Sequence, residues 1–292
     1  MFKLAAITDE ISQDPAVAAA LVKEFGGEGL EIRSVWEKGP HELDAAETAR
    51  LKQVVGAHGL RVCGIASPVF KCHLGVAAEE REHLDILRRC MALAHALDTD
   101  LVRVFTFWQQ PGPPPWELIA DKFHKPLDLA VREGITLGVE NERSTTAASA
   151  RRVADFLALM NHPHLRAIWD PGNEQGDAEG GGAFPRGYET LKPWIVHVQL
   201  KDVKRLPNGT RASVRLGTGD VDYLGQLKAL KRDGYGGYLS LETHWRIQHD
   251  IPKDVVRQPK GSVFSAGGEA ATRQCLESLR EMLRQIDHAD SA

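Results

Sequence analysis

Four short apolar runs of this chain each carry an oxygen donor at or near their end: Leu137-Gly138-Val139-Glu140, Ala167-Ile168-Trp169-Asp170, Val198-Gln199-Leu200 and Leu239-Ser240-Leu241-Glu242. If the runs are strands, side chains alternate between two faces with period two. Leu137 and Val139 then share one face and Glu140 takes the other. The same phase separates Ala167 and Trp169 from Asp170, and Leu239 and Leu241 from Glu242. In 196–201, Val196, Val198 and Leu200 oppose His197, Gln199 and Lys201. Glu140, Asp170, Gln199 and Glu242 are thus delivered to one side. Three carboxylates gathered together raise each other's pKa or require a cation. With an amide oxygen as fourth donor and no thiolate, the set suits one hard divalent ion, Mn²⁺ or Mg²⁺ rather than Zn²⁺. The competing reading is an ion-pair network in which Lys201, Arg103 and Arg33 balance the acids.

Such convergence needs a fold that brings many strand ends to one rim. Eight strand-like runs cover 3–8, 29–33, 61–66, 101–107, 136–140, 166–170, 195–200 and 238–242. Helical patterns lie between them at 15–25, 44–57, 79–97, 116–133, 147–160, 188–192 and 221–232, with a last one at 269–286. Asp44 and Glu47 have capping-box spacing, and Gly59 follows that helix as a stop signal. Regular alternation over 1–292 without a compositional break predicts one (β/α)8 TIM barrel domain, whose active site lies at the C-terminal ends of the strands. The rival, an open doubly wound sheet, calls for a glycine-rich loop after the first strand. Here that strand runs into Thr8-Asp9-Glu10-Ile11-Ser12.

The remaining composition narrows the classes. The formal net charge is −4, with 36 Lys and Arg against 40 Asp and Glu, which argues against a nucleic-acid partner. No apolar run has the length of a membrane span, and the opening Met1–Ile7 is read as a strand rather than a secretory leader. Cys63, Cys72, Cys90 and Cys275 form no Cys-x-x-Cys pair. They are expected to be small buried residues of a cytoplasmic protein.

Six stretches in order, "GLEIRSVW" (29–36), "LGVENE" (137–142), "IWDPGN" (168–173), "HVQLKD" (197–202), "RLGTGDVDY" (215–223) and "YLSLETHW" (238–245), resemble the xylose isomerase-like barrel superfamily in its sugar phosphate isomerase/epimerase branch. The resemblance implies that Glu140, Asp170, Gln199 and Glu242 bind one divalent metal. It also implies that Glu140 and Glu242 act as acid and base on a carbon next to a carbonyl. The commoner motif on the seventh strand is His-x-His-Leu-Lys-Asp. Gln199 in place of the second His is similar to hydroxypyruvate isomerase-like members and argues against zinc and against the endonuclease branch.

His197 is expected one layer deeper, holding a ligand in place. Substrate contacts are expected from Lys201 at the mouth and from His73, Trp108 and Asn173 on the rim. In relatives, an arginine at the position of Arg215 reaches substrate hydroxyls or phosphate. The long segment 246–268 is expected to be a lid or a subunit contact. The expected activity is isomerisation or epimerisation of a small sugar, keto-sugar or polyol. The alternatives are a lyase or dehydratase on the same site and a non-catalytic sugar-binding barrel. A homo-oligomer is compatible with these features.

Overall fold

The computed structural model describes residues 2–174, 182–248 and 251–289. Eight parallel strands close into a barrel: β1 (Lys3–Ile7), β2 (Gly29–Ile32), β3 (Arg61–Ile65), β4 (Leu101–Val104), β5 (Thr136–Glu140), β6 (Leu165–Trp169), β7 (Ile195–Leu200) and β10 (Tyr238–Leu241). β10 pairs with both β7 and β1 and so completes the ring. The sequence expectation of a (β/α)8 barrel is met.

The alternation read from the sequence sets the two faces of the sheet. Leu30, Ile32, Val102, Val104, Leu137, Val139, Val198, Leu200, Leu239 and Leu241 are buried with the surrounding helices in one continuous apolar cluster. Their odd-phase neighbours point to the axis, where space is short. A Cβ on Gly138 would stand 2.6 Å from Ile168 Cγ1, so glycine lets β5 and β6 approach there.

Caps fix where several helices begin. The Asp44 carboxylate accepts from the Glu47 amide and Glu47 answers to the Asp44 amide, starting the helix Ala45–Ala57. Ser149 and Asp222 cap Ala150–Met160 and Tyr223–Arg232, which is why these helices start later than their apolar periodicity suggests.

The structure departs from the sequence reading in three places. The run expected over 101–107 leaves the sheet after Val104, because the amides of Phe105 and Phe107 turn to the carbonyls of Val69 and Phe70. Residues 202–214 form an antiparallel ribbon, β8 (Asp202–Arg205) with β9 (Arg211–Val214). The segment read as one long loop carries two short helices, Lys253–Arg257 and Gly261–Ser265; its residues 249 and 250 lie outside the described ones. The four cysteines are free and buried. Among the described residues no helix is long and apolar enough to cross a membrane.

One contact ties this architecture to the site. Gly172, just after β6, lies so close to the end of β7 that a Cβ there would meet the Lys201 carbonyl oxygen at 2.1 Å. Backbone cannot yield as a side chain can. Gly172→Ala is therefore expected to lower unfolding stability by about 1–3 kcal/mol, the usual cost of overpacking. Urea denaturation measures it; a change below about 0.5 kcal/mol would mean that this junction is looser than described.

Candidate metal and acid–base site

The ends of β5, β6 and β10 bring Glu140, Asp170 and Glu242 together, with one carboxylate oxygen of each within 4.8 Å of the others. All three are buried. Glu140 Oε1 accepts from Asn173 Nδ2 at 2.9 Å and Oε2 from Arg103 at 2.9 Å. Asp170 is fixed through its backbone by the Asn141 side chain, which accepts from the Asp170 amide and donates to its carbonyl. Glu242 Oε1 lies 2.6 Å from Arg33 Nη1, and Oε2 lies 2.7 Å from Lys201 Nζ. The Lys201 ammonium is also 2.7 Å from Asp170. It sits between two of the three acids rather than at the mouth. Tyr223 pins its backbone, accepting from the Lys201 amide and donating to its carbonyl.

Gln199 belongs to a chain reaching from β7 to β2. Its Nε2 donates to Glu31 Oε1 at 2.8 Å, and His197 Nε2 donates to Glu31 Oε2 at 3.0 Å. One carboxylate thus orients both side chains, and His197 reaches Gln199 only through Glu31. The Gln199 Oε1 oxygen is buried and has no hydrogen-bond partner. An orphan acceptor at this depth is costly unless something supplies positive charge.

The ion-pair network is also present, and it is incomplete. Around the axis the buried carboxylates are Asp9, Glu10, Glu31, Glu140, Asp170 and Glu242, against the permanent cations Arg33, Arg103, Lys201 and Arg246. Among the described residues six negative groups face four positive ones, and burial pushes Asp9 up to about 7 in spite of Arg33. The deficit is the charge of one divalent ion, and without an ion protons make it up. Burial pushes Glu140 up to about 8 against the pull of Arg103, and Asp170 up to about 7 in spite of Lys201. Glu242 goes the other way: burial would raise it, but Lys201, His244, Arg33 and Arg103 together hold it well below the usual carboxylate range. The acidic set with its free amide oxygen fits a hard divalent ion.

A second triplet, Glu10, Glu242 and His244, also closes to within 4.8 Å, but cations already serve it. Glu10 meets Arg33 at 2.7 Å and Arg246 at 3.5 Å and accepts the His244 amide. Burial lowers the His244 imidazole to about 4.

Other expected contacts are distributed differently. Asn173 holds Glu140. Trp108 is buried on the rim with the Arg257 guanidinium 4.4 Å above its ring. His73 and Arg215 are not brought to the carboxylates. His73 is exposed, its amide and Nδ1 both bound to Glu79 in the first turn of the helix Ala77–Ala96. Arg215 is turned out because the loop after it folds onto Asp202, whose Oδ2 accepts the amides of Gly217 and Gly219. It lies instead along an outer groove with Arg273 and Glu277.

The sequence pattern assigned no part to Asp9 or Arg246. The segment 251–268 covers this side of the rim. Phe264 is buried with the guanidinium of Arg33 at 4.7 Å and that of Arg246 at 5.2 Å from its ring.

Because Asn173 fixes one oxygen of Glu140, its loss should loosen a proposed ligand without disturbing the core. Asn173→Ala is expected to weaken Mn²⁺ binding by about 10- to 100-fold, the usual effect of removing a group that orients a ligand. Calorimetric titration measures it, and an unchanged Mn²⁺ affinity would detach Asn173 from metal binding.

The profile of the xylose isomerase-like TIM barrel family matches residues 19–282. No curated protein sequence matches the chain significantly. Among solved structures, the probable 3-DHS dehydratase AsbF involved in petrobactin synthesis from Bacillus anthracis superposes with a TM-score of 0.72 at 17% identity, over 96% of this chain and 99% of that one. D-allulose 3-epimerase from Methylomonas sp. superposes with a TM-score of 0.70 at 18% identity, over 96% and 98%. The IOLI protein, whose structure holds a zinc atom, does so with a TM-score of 0.71 at 16% identity, over 98% of each chain. At such identities these likenesses establish the fold. With the family profile spanning nearly its whole length, the chain belongs to the xylose isomerase-like TIM barrel family.

Proposed function

We propose that the protein is a divalent-metal-dependent isomerase or epimerase of a small sugar or keto-sugar, acting by proton abstraction next to a carbonyl. The observation that carries this reading is the buried triangle of Glu140, Asp170 and Glu242 with its two-charge deficit and the unpartnered oxygen of Gln199. Glu140, Asp170, Gln199 and Glu242 would hold one ion, Mn²⁺ or Mg²⁺ in preference to Zn²⁺ because every donor is a hard oxygen. Bound there, the ion would polarise a substrate carbonyl.

The remaining chemistry falls to side chains of the chain. Glu242 is held ionised by Lys201 and Arg33, so it is the group suited to take a proton. Glu140, the carboxylate that meets Glu242 across the triangle, is the group placed to return it. Two carboxyls set apart by their surroundings are what acid–base exchange at one carbon needs. Return of the proton to the same carbon from the other side gives the epimer; return to the neighbouring carbon gives the isomer. Lys201, kept charged by Asp170, Glu242, Glu140 and Glu142 against the effect of burial, places a fixed positive charge beside the negative charge that develops on the substrate. Glu31 keeps Gln199 in register throughout.

A second reading has support in the superposition on the 3-DHS dehydratase. In a lyase the same proton leaves first and a β-substituent follows. The test is a panel of keto-sugars in deuterated water, followed by NMR, after chelation and after return of Mn²⁺, Mg²⁺ or Zn²⁺. The expected result is metal-dependent deuterium incorporation at the carbon next to the carbonyl with no loss of water. An unsaturated product would transfer the assignment to the lyase, and exchange undiminished by chelation would remove the metal from the mechanism.

Glu242→Gln should lower turnover by about 10²- to 10⁴-fold, the contribution expected of a general base. Retained turnover with metal bound would end the assignment of Glu242.

A further inference from the structure

Beside the acidic triangle lies a cavity of the opposite sign. It has a volume of about 260 Å³ and opens between the ends of β2, β3 and β4 and residues 257–260. Arg33, Lys71, Arg103, Arg257 and Lys260 line it, and no Asp or Glu does. Two of these cations are committed behind the wall, Arg33 to Glu242 and Arg103 to Glu140. These same pairs put the cavity one side chain away from both proposed acid–base groups. Lys260 is paired outward with Glu42.

Arg257 and Lys71 differ from the rest. Arg257 has no carboxylate partner and no side-chain hydrogen bond among the described residues; it is held by its face, 4.4 Å over the Trp108 ring. Stacking fixes a guanidinium while leaving its N–H edge available, the arrangement that suits a planar or tetrahedral oxyanion. Lys71 contributes a half-buried ammonium, 3.3 Å from Glu142 and 3.4 Å from the Arg257 carbonyl. Its Nζ also lies 4.4 Å from the Phe105 ring centre. The volume falls just below the roughly 300 Å³ at which drug-sized pockets begin, so it suits one small polar molecule.

We infer that the substrate carries an oxyanion, a carboxylate or a phosphate, which seats on Arg257 and Lys71 in this cavity. This rests on the proposed reaction at Glu140 and Glu242, whose carboxylates stand directly behind Arg33 and Arg103 of the cavity wall. With the cations Arg257 and Lys71 and no carboxylate lining it among the described residues, the cavity favours the acid or the phosphate ester over the neutral polyol. The aromatic pair Phe105 and Trp108 and the helix Lys253–Arg257 thereby acquire a role in specificity.

The test uses the full chain, metal-free and loaded with Mn²⁺, and measures binding of inorganic phosphate, malonate and D-fructose by calorimetry. At least one anion is expected to bind more tightly than fructose. Its Kd should rise tenfold or more in Arg257→Ala, recover in part in Arg257→Lys and rise in Lys71→Ala, with Mn²⁺ affinity and melting temperature unchanged in the Arg257 variants. Phosphate alone showing this behaviour identifies a phosphorylated substrate, and malonate alone a carboxylic acid. The inference is overturned if neither anion binds, if Arg257→Ala binds them as the parent does, or if fructose binds as tightly. Binding is read without turnover. Metal-dependent deuterium exchange on neutral keto-sugars with no Arg257-dependent anion binding would therefore sink this inference and leave the proposed reaction standing. Arg257-dependent anion binding without exchange on any compound would do the reverse.

Discussion

Six carboxylates and four permanent cations share the dry interior at one end of this barrel, and that imbalance constrains everything around it. A buried charge without a partner costs several kcal/mol, so every acid near the axis is tied to something. Arg33 spans Asp9, Glu10 and Glu242; Arg103 holds Glu140; Lys201 bridges Asp170 and Glu242. Two negative charges remain. In the metal-free protein the remedy is protonation, and the two acids of the triangle pushed upward by burial, Glu140 and Asp170, are ligands in the proposed metal set. The ion-pair network and the proposed metal centre are therefore not rival descriptions. The network neutralises most of the acidity and leaves a remainder of the size that one divalent ion supplies.

The barrel makes that arrangement possible because it separates two jobs by strand phase. Leu and Val at one phase anchor each strand to the helices, and the opposite phase is free to be polar at the strand ends. Ser240 pairs with Gln199 and Leu241 with Leu200 in the β10–β7 register, so Glu242 arrives one residue past the ladder and meets Lys201. A register slip of one residue would turn the carboxylates away from the axis and bring their helix-facing neighbours, Val139, Trp169 and Leu241, in their place.

The same phase rule explains how much could be read beforehand. The inward positions of Glu140, Asp170, Gln199 and Glu242 were legible because each stands at or near the end of an alternating run, in the phase opposite its aliphatic neighbours. Glu31 and Arg103 obey the rule equally, alternating with Leu30 and Ile32 and with Val102 and Val104, and could have been given inward positions on that basis. Asp9 and Arg246 could not, since one lies in a single helical turn after β1 and the other in irregular chain after β10. Arg215 shows the limit of motif reading. The motif located the loop but not its direction, which is set by Asp202 accepting the amides of Gly217 and Gly219. The ribbon of β8 and β9 carried a turn signal, Asn208-Gly209, but its flanks, Asp202–Arg205 and Arg211–Val214, lack an apolar alternation. Being mostly polar and outside the barrel, they read as loop.

The segment 251–268 then takes its meaning from the charge network it covers. Phe264 inserts between Arg33 and Arg246, and the Arg246 guanidinium donates to the carbonyls of Phe264 and Ala266. Ser262 and Ser265 reach Glu37 and the Asp9 carbonyl. The guanidinium that neutralises Glu10 and Glu242 thus has its aromatic face supplied by the cover. Packing at the cover and charge balance at the axis are coupled through Arg33 and Arg246. A change that dislodges Phe264 would expose the flank of the acidic site to water and weaken the hold on Glu242, even though Phe264 touches none of the three carboxylates of the triangle. The cover also delivers Arg257 to the rim above Trp108, so the element that shields the acids on one side presents a cation on the other.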